Sequence, residues 1–133
     1  MVLNALKNFV GKSSNGYPKG FNQIIDNLHL NTEEDSTTFN LLWKAYQFGS
    51  EAHKEQKRRS GEPYFTHCAS VGAILAEWNM DVDTIIAGLL HDTIEDTDVT
   101  RELIVSEFNE DIAYLVEGVS KLSGIKFHSR QEK

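Results

Sequence analysis

The sequence predicts an all-α fold, a compact irregular helical bundle, on the basis of three observations. Apolar residues recur every three to four positions through most of the chain, which is the spacing of one buried helix face. Glycine, proline and capping residues divide these stretches into short helices. No stretch shows the alternation of apolar and polar residues that indicates a half-buried strand. The length of 133 residues suggests one domain with one core.

The first part of the chain predicts two helices. Four apolar residues at helical spacing indicate a short helix: Phe21, Ile24, Ile25 and Leu28. Asn31 or Thr32 can cap the next helix, because a side-chain oxygen at that position accepts a hydrogen bond from a free backbone N–H. Acidic residues at 33–35 would lie in its first turn, near the positive end of the helix dipole. Its apolar face consists of Phe39, Leu42, Trp43, Tyr46, Gly49 and Ala52.

The second part predicts four more helices after a polar segment from Glu51 to Pro63. The proline can open a helix over residues 64–78, which has one stripe of His67, Val71, Ile74, Leu75 and Trp78. Asp81 caps the next helix, which runs to His91. Ala87 and Gly88 allow this helix to pack closely against a neighbour. We expect its apolar residues to be buried: Ile85, Ile86, Leu89 and Leu90. Asp98 or Thr100 begins a helix with Leu103, Ile104 and Phe108. The last helix, about residues 110–122, carries Ile112, Leu115, Val116 and Val119.

Composition and charge exclude several classes of protein. The net charge of −7 argues against non-specific binding to nucleic acid, although a local basic cluster or a metal ion can still attract a small anionic substrate. No apolar run approaches the roughly 20 residues of a membrane span, and no signal-peptide cleavage pattern follows Met1. The single cysteine, Cys68, excludes an internal disulfide and fits a reducing compartment. We therefore expect a cytoplasmic protein without a membrane or nucleic-acid partner.

An ionisable stretch, residues 91–96, ends the apolar helix that Asp81 begins. His91 and Asp92 are adjacent at the end of a buried helix, so both side chains can reach one divalent ion. His67, on the preceding predicted helix, is a candidate third ligand, whereas a lone histidine more often bonds a backbone carbonyl. Two imidazoles and a carboxylate suit Mn, Fe, Co, Ni or Zn and leave positions open for water and substrate. The surrounding carboxylates favour Mn or Fe.

Glu95 and Asp96 follow this pair and have two interpretations. Near a metal ion, a carboxylate can orient the attacking water and take its proton. The alternative is an exposed acidic helix end with no chemical role, which is a common surface feature. The metal interpretation therefore depends on whether His91 and Asp92 meet His67 in space.

A basic cluster in this acidic protein consists of Lys54, Lys57, Arg58 and Arg59. These cations could clamp phosphates, and an arginine could stack on a nucleotide base, whereas the alternative is an ordinary solvated loop. Tyr64, directly after Pro63, could orient this loop or line a pocket. We expect His53 to be structural, and Cys68 to be a small buried side chain rather than a nucleophile.

An ordered set of motifs resembles the hydrolase domain of the RelA/SpoT family, whose members make and degrade the alarmone (p)ppGpp. The motifs are RRSGEPY at Arg58–Tyr64, then His67, then AGLLHDTIEDT at Ala87–Thr97, then LVEGVSKL at Leu115–Leu122. A His-Asp pair alone is weak evidence, whereas this ordered set is specific. The resemblance covers residues 38–133, which it identifies as part of an HD-type hydrolase domain, and leaves residues 1–37 as an N-terminal extension with a short helix.

The resemblance implies Mn-dependent hydrolysis of the 3′-pyrophosphate of (p)ppGpp, with GDP or GTP and pyrophosphate as products. By matching position, the metal ligands would be His67, His91 and Asp92. Glu95 and Asp96 would position and activate the attacking water. Arg58 would lie against the guanine base, while Arg59 and Ser60 would contact the nucleotide nearby.

The chain departs from the family pattern at several positions. The family usually has lysine where Arg59 stands, proline where Cys68 stands and threonine where Ser120 stands. A fourth metal ligand, an aspartate in an Asp-Arg-Leu-His type motif, would follow Lys133. The resemblance therefore implies a truncated chain, a broken gene product or one part of a longer protein, with weakened metal binding and hydrolysis. The 133 residues contain no synthetase domain, and the sequence leaves open whether one follows in the full gene. An apolar groove left by the later helices could also drive homo-oligomerisation.

Two alternative functions stay open at this point. One is a (p)ppGpp-binding or assembly module without turnover, which the missing aspartate favours. The other is a different HD-type phosphohydrolase that acts on nucleotides or a phosphodiester, and the Arg58–Tyr64 motif argues against it.

Overall fold

The computed structural model describes residues 16–30 and 35–119, which form helices connected by short loops. The helices are α1 (Lys19–Leu28), α2 (Ser36–Ala52), α3 (Phe65–Glu77), α4 (Val82–Leu90), α5 (Thr93–Asp96), α6 (Arg101–Glu107) and α7 (residues 110–119). Within the two described ranges, β pairing is confined to one antiparallel bridge between Lys57 and Pro63. The predicted all-α fold is confirmed. No helix in these ranges is both long and apolar enough to cross a lipid bilayer.

Several predictions fall outside the described residues. They concern the cap at Asn31 or Thr32, the acidic residues 33 and 34, Ser120, and the predicted end of the last helix at residue 122. Where the chain is described again, α2 begins at Ser36, directly after Asp35. The division of the chain at residue 37 stays a prediction, although α1 packs against α3 and shares its core.

The core lies mainly between the first four helices, since each of them buries an apolar face there. Helices α6 and α7 also contribute fully buried residues to it: Ile104, Ile112, Ala113 and Val116. α3 packs against both α1 and α4, and α2 packs against α4. The residues expected to be buried in α4 are fully buried: Ile85, Ile86, Leu89 and Leu90. An aromatic cluster joins α1 to α2, with ring centroids 4.8–5.8 Å apart, a range in which edge-on and offset pairs are favourable. Its members are Tyr17, Phe21, Phe39, Trp43 and Tyr46.

The packed face of α3 differs from the stripe that the sequence predicts. Ile74 and Trp78 are 45% and 64% exposed, whereas Leu75 of the same stripe packs against the core, so the predicted stripe is buried only in part. The buried face consists mostly of small residues: Phe65, Cys68, Ala69, Gly72, Ala73 and Ala76. Small side chains are needed because α3 and α4 approach closely. A Cβ atom on Gly88 would lie 2.5 Å from Leu75 Cδ1, which confirms the close packing predicted at that glycine.

Helix ends bring the ionisable residues to one side of this core. α4 ends at Leu90, so that His91 and Asp92 follow it directly. His67 lies in the first turn of α3, which packs against α4. The loop between α2 and α3, residues 53–64, contains the basic residues, and the single turn of α5 contains the acidic pair.

Candidate metal centre

The three predicted metal ligands meet at the junction of α3 and α4. His67 is half-buried, whereas His91 and Asp92 are buried. One candidate ligand atom from each residue lies within 4.8 Å of the other two, and the two imidazole centroids are 6.1 Å apart. Nitrogen and carboxylate oxygen donors at this mutual separation can bind one divalent ion of the first transition row. The donor set therefore fits a metal ion, and it leaves coordination positions for water and substrate.

A hydrogen bond to the backbone sets the orientation of His91. Its Nδ1 lies 2.6 Å from the carbonyl oxygen of Gly88, which can only accept, so we assign the Nδ1–H tautomer. This assignment directs Nε2 toward Asp92, whose Oδ2 lies 3.1 Å away. Metal-binding histidines commonly donate their second ring nitrogen to a backbone carbonyl in this way.

The local electrostatics of His91 and Asp92 reflect their mutual contact. Burial lowers the pKa of His91, but the hydrogen bond and charge of Asp92 outweigh it, and the pKa lies above its ordinary value. Burial raises the pKa of Asp92, but hydrogen bonds from His91 and Tyr64 outweigh it, and the pKa lies below its ordinary value. A proton bound to Nε2 of His91 would therefore lie between the two side chains, where a metal ion would otherwise bind.

The pKa of His67 shifts in the opposite direction to the pKa of His91. Burial and the positive charge of Arg58 lower its pKa below the ordinary histidine value. The imidazole is therefore neutral near neutral pH, which is the state that binds metal. The influence of Arg58 also shows that the basic loop lies next to the candidate ligands.

Hydrogen bonds from threonine hydroxyls fix the turn that follows α4. Thr93 is fully buried, and its hydroxyl donates to the carbonyl of Leu90 at 2.7 Å. The hydroxyl of Thr97 donates to the carbonyl of Thr93 at 2.6 Å. These bonds end α4 and hold the single turn of α5, because short polar side chains compete with the helix backbone for hydrogen bonds.

The acidic pair on α5 is exposed to solvent at the edge of the cluster. Partial desolvation and the negative charge of Asp92 raise the pKa of the Asp96 carboxyl. Asp96 is therefore close enough to the candidate ligands to share their electrostatic field. Glu95 lies beside it on the same turn.

Most of the predicted basic cluster surrounds a cavity. The cavity measures about 520 Å³ and is lined by Lys57, Arg58, Arg59, Ser60 and Tyr64. The loop is tight, since Arg58 N–H donates to the carbonyl of Glu62 and Gly61 N–H donates to the carbonyl of Arg58, both at 2.8 Å. Lys54 is not among the residues that line this cavity, and it pairs with Glu51 at 2.7 Å.

Two further expectations concern His53 and Cys68. His53 is fully buried, and its Nδ1 bonds to the side chain of Gln56, which agrees with a structural role. Cys68 is fully buried, and burial raises the pKa of its thiol to about 12. A thiol with this pKa is almost entirely protonated at neutral pH, so Cys68 is not a nucleophile.

The structure adds two contacts that sequence analysis missed. The hydroxyl of Tyr64 donates to Asp92 Oδ2 at 2.5 Å. The side-chain amide of Gln56 donates to the carbonyl of Asp96 at 3.3 Å. Both contacts connect the α2–α3 loop to the ionisable stretch after α4. They join residues 28 and 40 positions apart, so spacing in the sequence gave no signal for them.

Comparison with known proteins places this site in a family. Residues 45–133 match the family model described as HD domain. Guanosine-3′,5′-bis(diphosphate) 3′-pyrophosphohydrolase of Aquifex aeolicus (strain VF5) is 56% identical over 90 residues, which cover 68% of this chain and 13% of that protein. The bifunctional (p)ppGpp synthase/hydrolase SpoT of Escherichia coli (strain K12) is 48% identical over 91 residues, 68% of this chain and 13% of that protein. The GTP pyrophosphokinase of Streptomyces coelicolor (strain ATCC BAA-471 / A3(2) / M145) is 45% identical over 93 residues, 70% of this chain and 11% of that protein. The chain thus spans 11–13% of the length of these relatives.

Proposed function

The chain belongs to the HD-domain family, and on this premise we propose that it carries most of the active site of a metal-dependent (p)ppGpp 3′-pyrophosphohydrolase. The observation that carries the proposal is the contact between two features. Three candidate ligands lie within 4.8 Å of one another, and a basic cavity of about 520 Å³ adjoins them through Tyr64. The names of the relatives, which include guanosine-3′,5′-bis(diphosphate) 3′-pyrophosphohydrolase, supply the substrate class.

In this proposal His67, His91 and Asp92 hold the metal ion, which we assign as Mn²⁺. Their two imidazoles and one carboxylate suit this ion and leave room for further ligands. When bound, such an ion acts as a Lewis acid that makes water more acidic and offsets the charge of a phosphoryl group.

Asp96 and Glu95 orient the attacking water, and Asp96 takes its proton. The raised pKa of Asp96 suits this role, because a general base works best when its pKa lies nearer to the working pH. The water oxygen forms a bond to the phosphorus attached to the ribose 3′-oxygen. The bond between that phosphorus and the 3′-oxygen breaks, which leaves a 3′-hydroxyl group and free pyrophosphate.

Arg58, Arg59 and Ser60 bind the nucleotide. The cavity volume lies within the range of roughly 300–1,000 Å³ that is typical of small-molecule sites. A guanidinium group can stack on the guanine base or bind phosphate with two parallel hydrogen bonds. Concentrated positive charge in a chain of net charge −7 makes this loop the attractive surface for a polyanionic substrate.

We also propose a cellular location, the absence of two kinds of partner, and an oligomeric state for this protein. A buried free thiol and a (p)ppGpp substrate both suit a protein of the cytoplasm. We propose no nucleic-acid or membrane partner, because the net charge is −7. Homo-oligomerisation through exposed apolar surface also stays a prediction.

The test is release of pyrophosphate from ppGpp in the presence of Mn²⁺. It uses the chain itself and a version extended by the aspartate-bearing helix that the family carries. Asp92→Asn should abolish release, whereas Asp111→Asn, an exposed carboxylate on α7, should leave it unchanged. Tight binding of ppGpp without release by either version would favour a binding module. Release that Asp92→Asn does not reduce would refute the assigned site.

A further inference from the structure

Tyr64 occupies a position that the roles proposed above do not explain. It directly precedes α3, and its backbone N–H donates to the carbonyl of Gln56 at 2.9 Å. Its ring packs against two imidazoles, with its centroid 5.1 Å from that of His53 and 5.7 Å from that of His67. Its hydroxyl reaches Asp92 Oδ2 at 2.5 Å, 28 residues along the chain.

We infer that Tyr64 is a positioning residue, which holds the Asp92 carboxylate in the orientation that binds the metal ion. A free carboxylate can rotate about its Cβ–Cγ bond and present either oxygen. Here Oδ2 accepts the Tyr64 hydroxyl and faces His91 Nε2 at 3.1 Å. A metal ion bound to His91 Nε2 leaves that nitrogen unable to donate to Asp92. Among the described residues, the Tyr64 hydroxyl is then the side-chain donor that fixes the carboxylate.

The hydroxyl of Tyr64 is the group that carries this role, because it bonds directly to a candidate metal ligand. Removing a hydrogen bond to a metal-binding side chain typically lowers metal affinity by roughly 10–100-fold.

The second half of the inference rests on the proposed function. Tyr64 also lines the cavity that contains Arg58, Arg59 and Ser60. One side chain thus contacts both the nucleotide cavity and a metal ligand.

The first experiment measures Mn²⁺ affinity by calorimetry without any nucleotide. Tyr64→Phe keeps the ring against both imidazoles and removes only the hydroxyl. We expect Mn²⁺ to bind this variant roughly 10–100-fold more weakly than wild type. Tyr114→Phe is the matched control, because Tyr114 is 72% exposed on α7, and its affinity should equal that of wild type. Circular dichroism establishes that both variants are folded.

A second readout separates positioning from a general structural effect. If Tyr64 acts on Asp92 alone, excess Mn²⁺ should restore pyrophosphate release by Tyr64→Phe to the wild-type value. Equal Mn²⁺ affinities of wild type and Tyr64→Phe would overturn the inference and leave the proposed function intact. Absence of Mn²⁺ binding by the wild-type chain would overturn both.

Discussion

Replacing Gly49 by alanine should destabilise the protein, because this residue lies where three elements meet. Gly49 is buried on α2, and a Cβ atom there would lie 2.4 Å from Cε1 of Phe65 and 3.2 Å from the backbone oxygen of Leu89. Tyr46 packs edge-on against the Phe65 ring with centroids 4.9 Å apart, which restricts movement of that ring away from Gly49. Leu89 belongs to α4, two residues before His91. The added methyl group must therefore displace the start of α3 or the end of α4.

The expected magnitude follows from two opposing terms. Carbon atoms pack best about 3.5–4.0 Å apart, so the contact with Phe65 would be too short by about 1 Å. Overpacking of this kind typically costs about 1–3 kcal/mol. Alanine recovers up to about 1 kcal/mol, because it favours the helix more than glycine does. We expect Gly49→Ala to lower the free energy of unfolding by about 1–2 kcal/mol.

Gly118→Ala is the matched control, because it makes the same substitution in helix α7 without a clash. A Cβ atom on Gly118 would have nothing within 4 Å. Only the preference of alanine over glycine in a helix remains, so the free energy of unfolding of this variant should rise by up to about 1 kcal/mol. Urea denaturation followed by circular dichroism measures both changes, and the two midpoints should move in opposite directions. A Gly49→Ala variant at least as stable as wild type would refute the reasoning about the close contact.

Three further predictions concern the site. Arg58→Ala should raise KM for ppGpp roughly 10–100-fold, because it removes a charge-assisted contact with the nucleotide. Lys54→Ala is the control, since Lys54 lies outside the cavity and its loss should not change KM. Equal effects of the two substitutions would contradict the cavity assignment. Cys68 should resist alkylation at about pH 8 in the folded chain and react on unfolding, because burial raises its pKa to about 12; rapid modification of folded protein would show that the thiol is accessible. Mn²⁺ affinity should fall as the pH falls through the raised pKa of His91, because the ion must displace the proton shared with Asp92; calorimetry in two buffers should detect proton release, and its absence would be evidence against the shared proton.

The helices could be predicted from the sequence because their apolar periodicity is a local property. Residues such as Ile85 and Leu89 recur at helical spacing, and the structure buries both completely. The packed face of α3 could not be predicted in this way. Large apolar residues such as Trp78 dominate a periodicity pattern, whereas the close approach of α3 and α4 selects small ones such as Gly72. Which face is buried depends on the neighbouring helices, and the sequence of α3 alone does not contain that information.

The candidate site shows the same division between local and distant information. The adjacency of His91 and Asp92 is visible in the sequence, and their contact follows from it. The pairing of Lys54 with Glu51 is equally local, since the two residues lie three positions apart across the end of α2. The hydrogen bond between Tyr64 and Asp92 was not accessible, because it depends on how the loop before α3 packs against the end of α4.

The arrangement of charge explains how an acidic chain can bind a polyanion. The carboxylates of the site lie after α4, whereas the cations lie on the loop before α3, and Tyr64 stands between the two groups. Under the proposed function, this separation would let the loop attract phosphates while Asp96 stays near the attacking water. The remaining repulsion between substrate and carboxylates would fall where a divalent ion would bind, among His67, His91 and Asp92. The proposal therefore calls for a metal ion on electrostatic grounds as well as chemical ones, because without its positive charge the acids assigned to activate water would also repel the phosphoryl group.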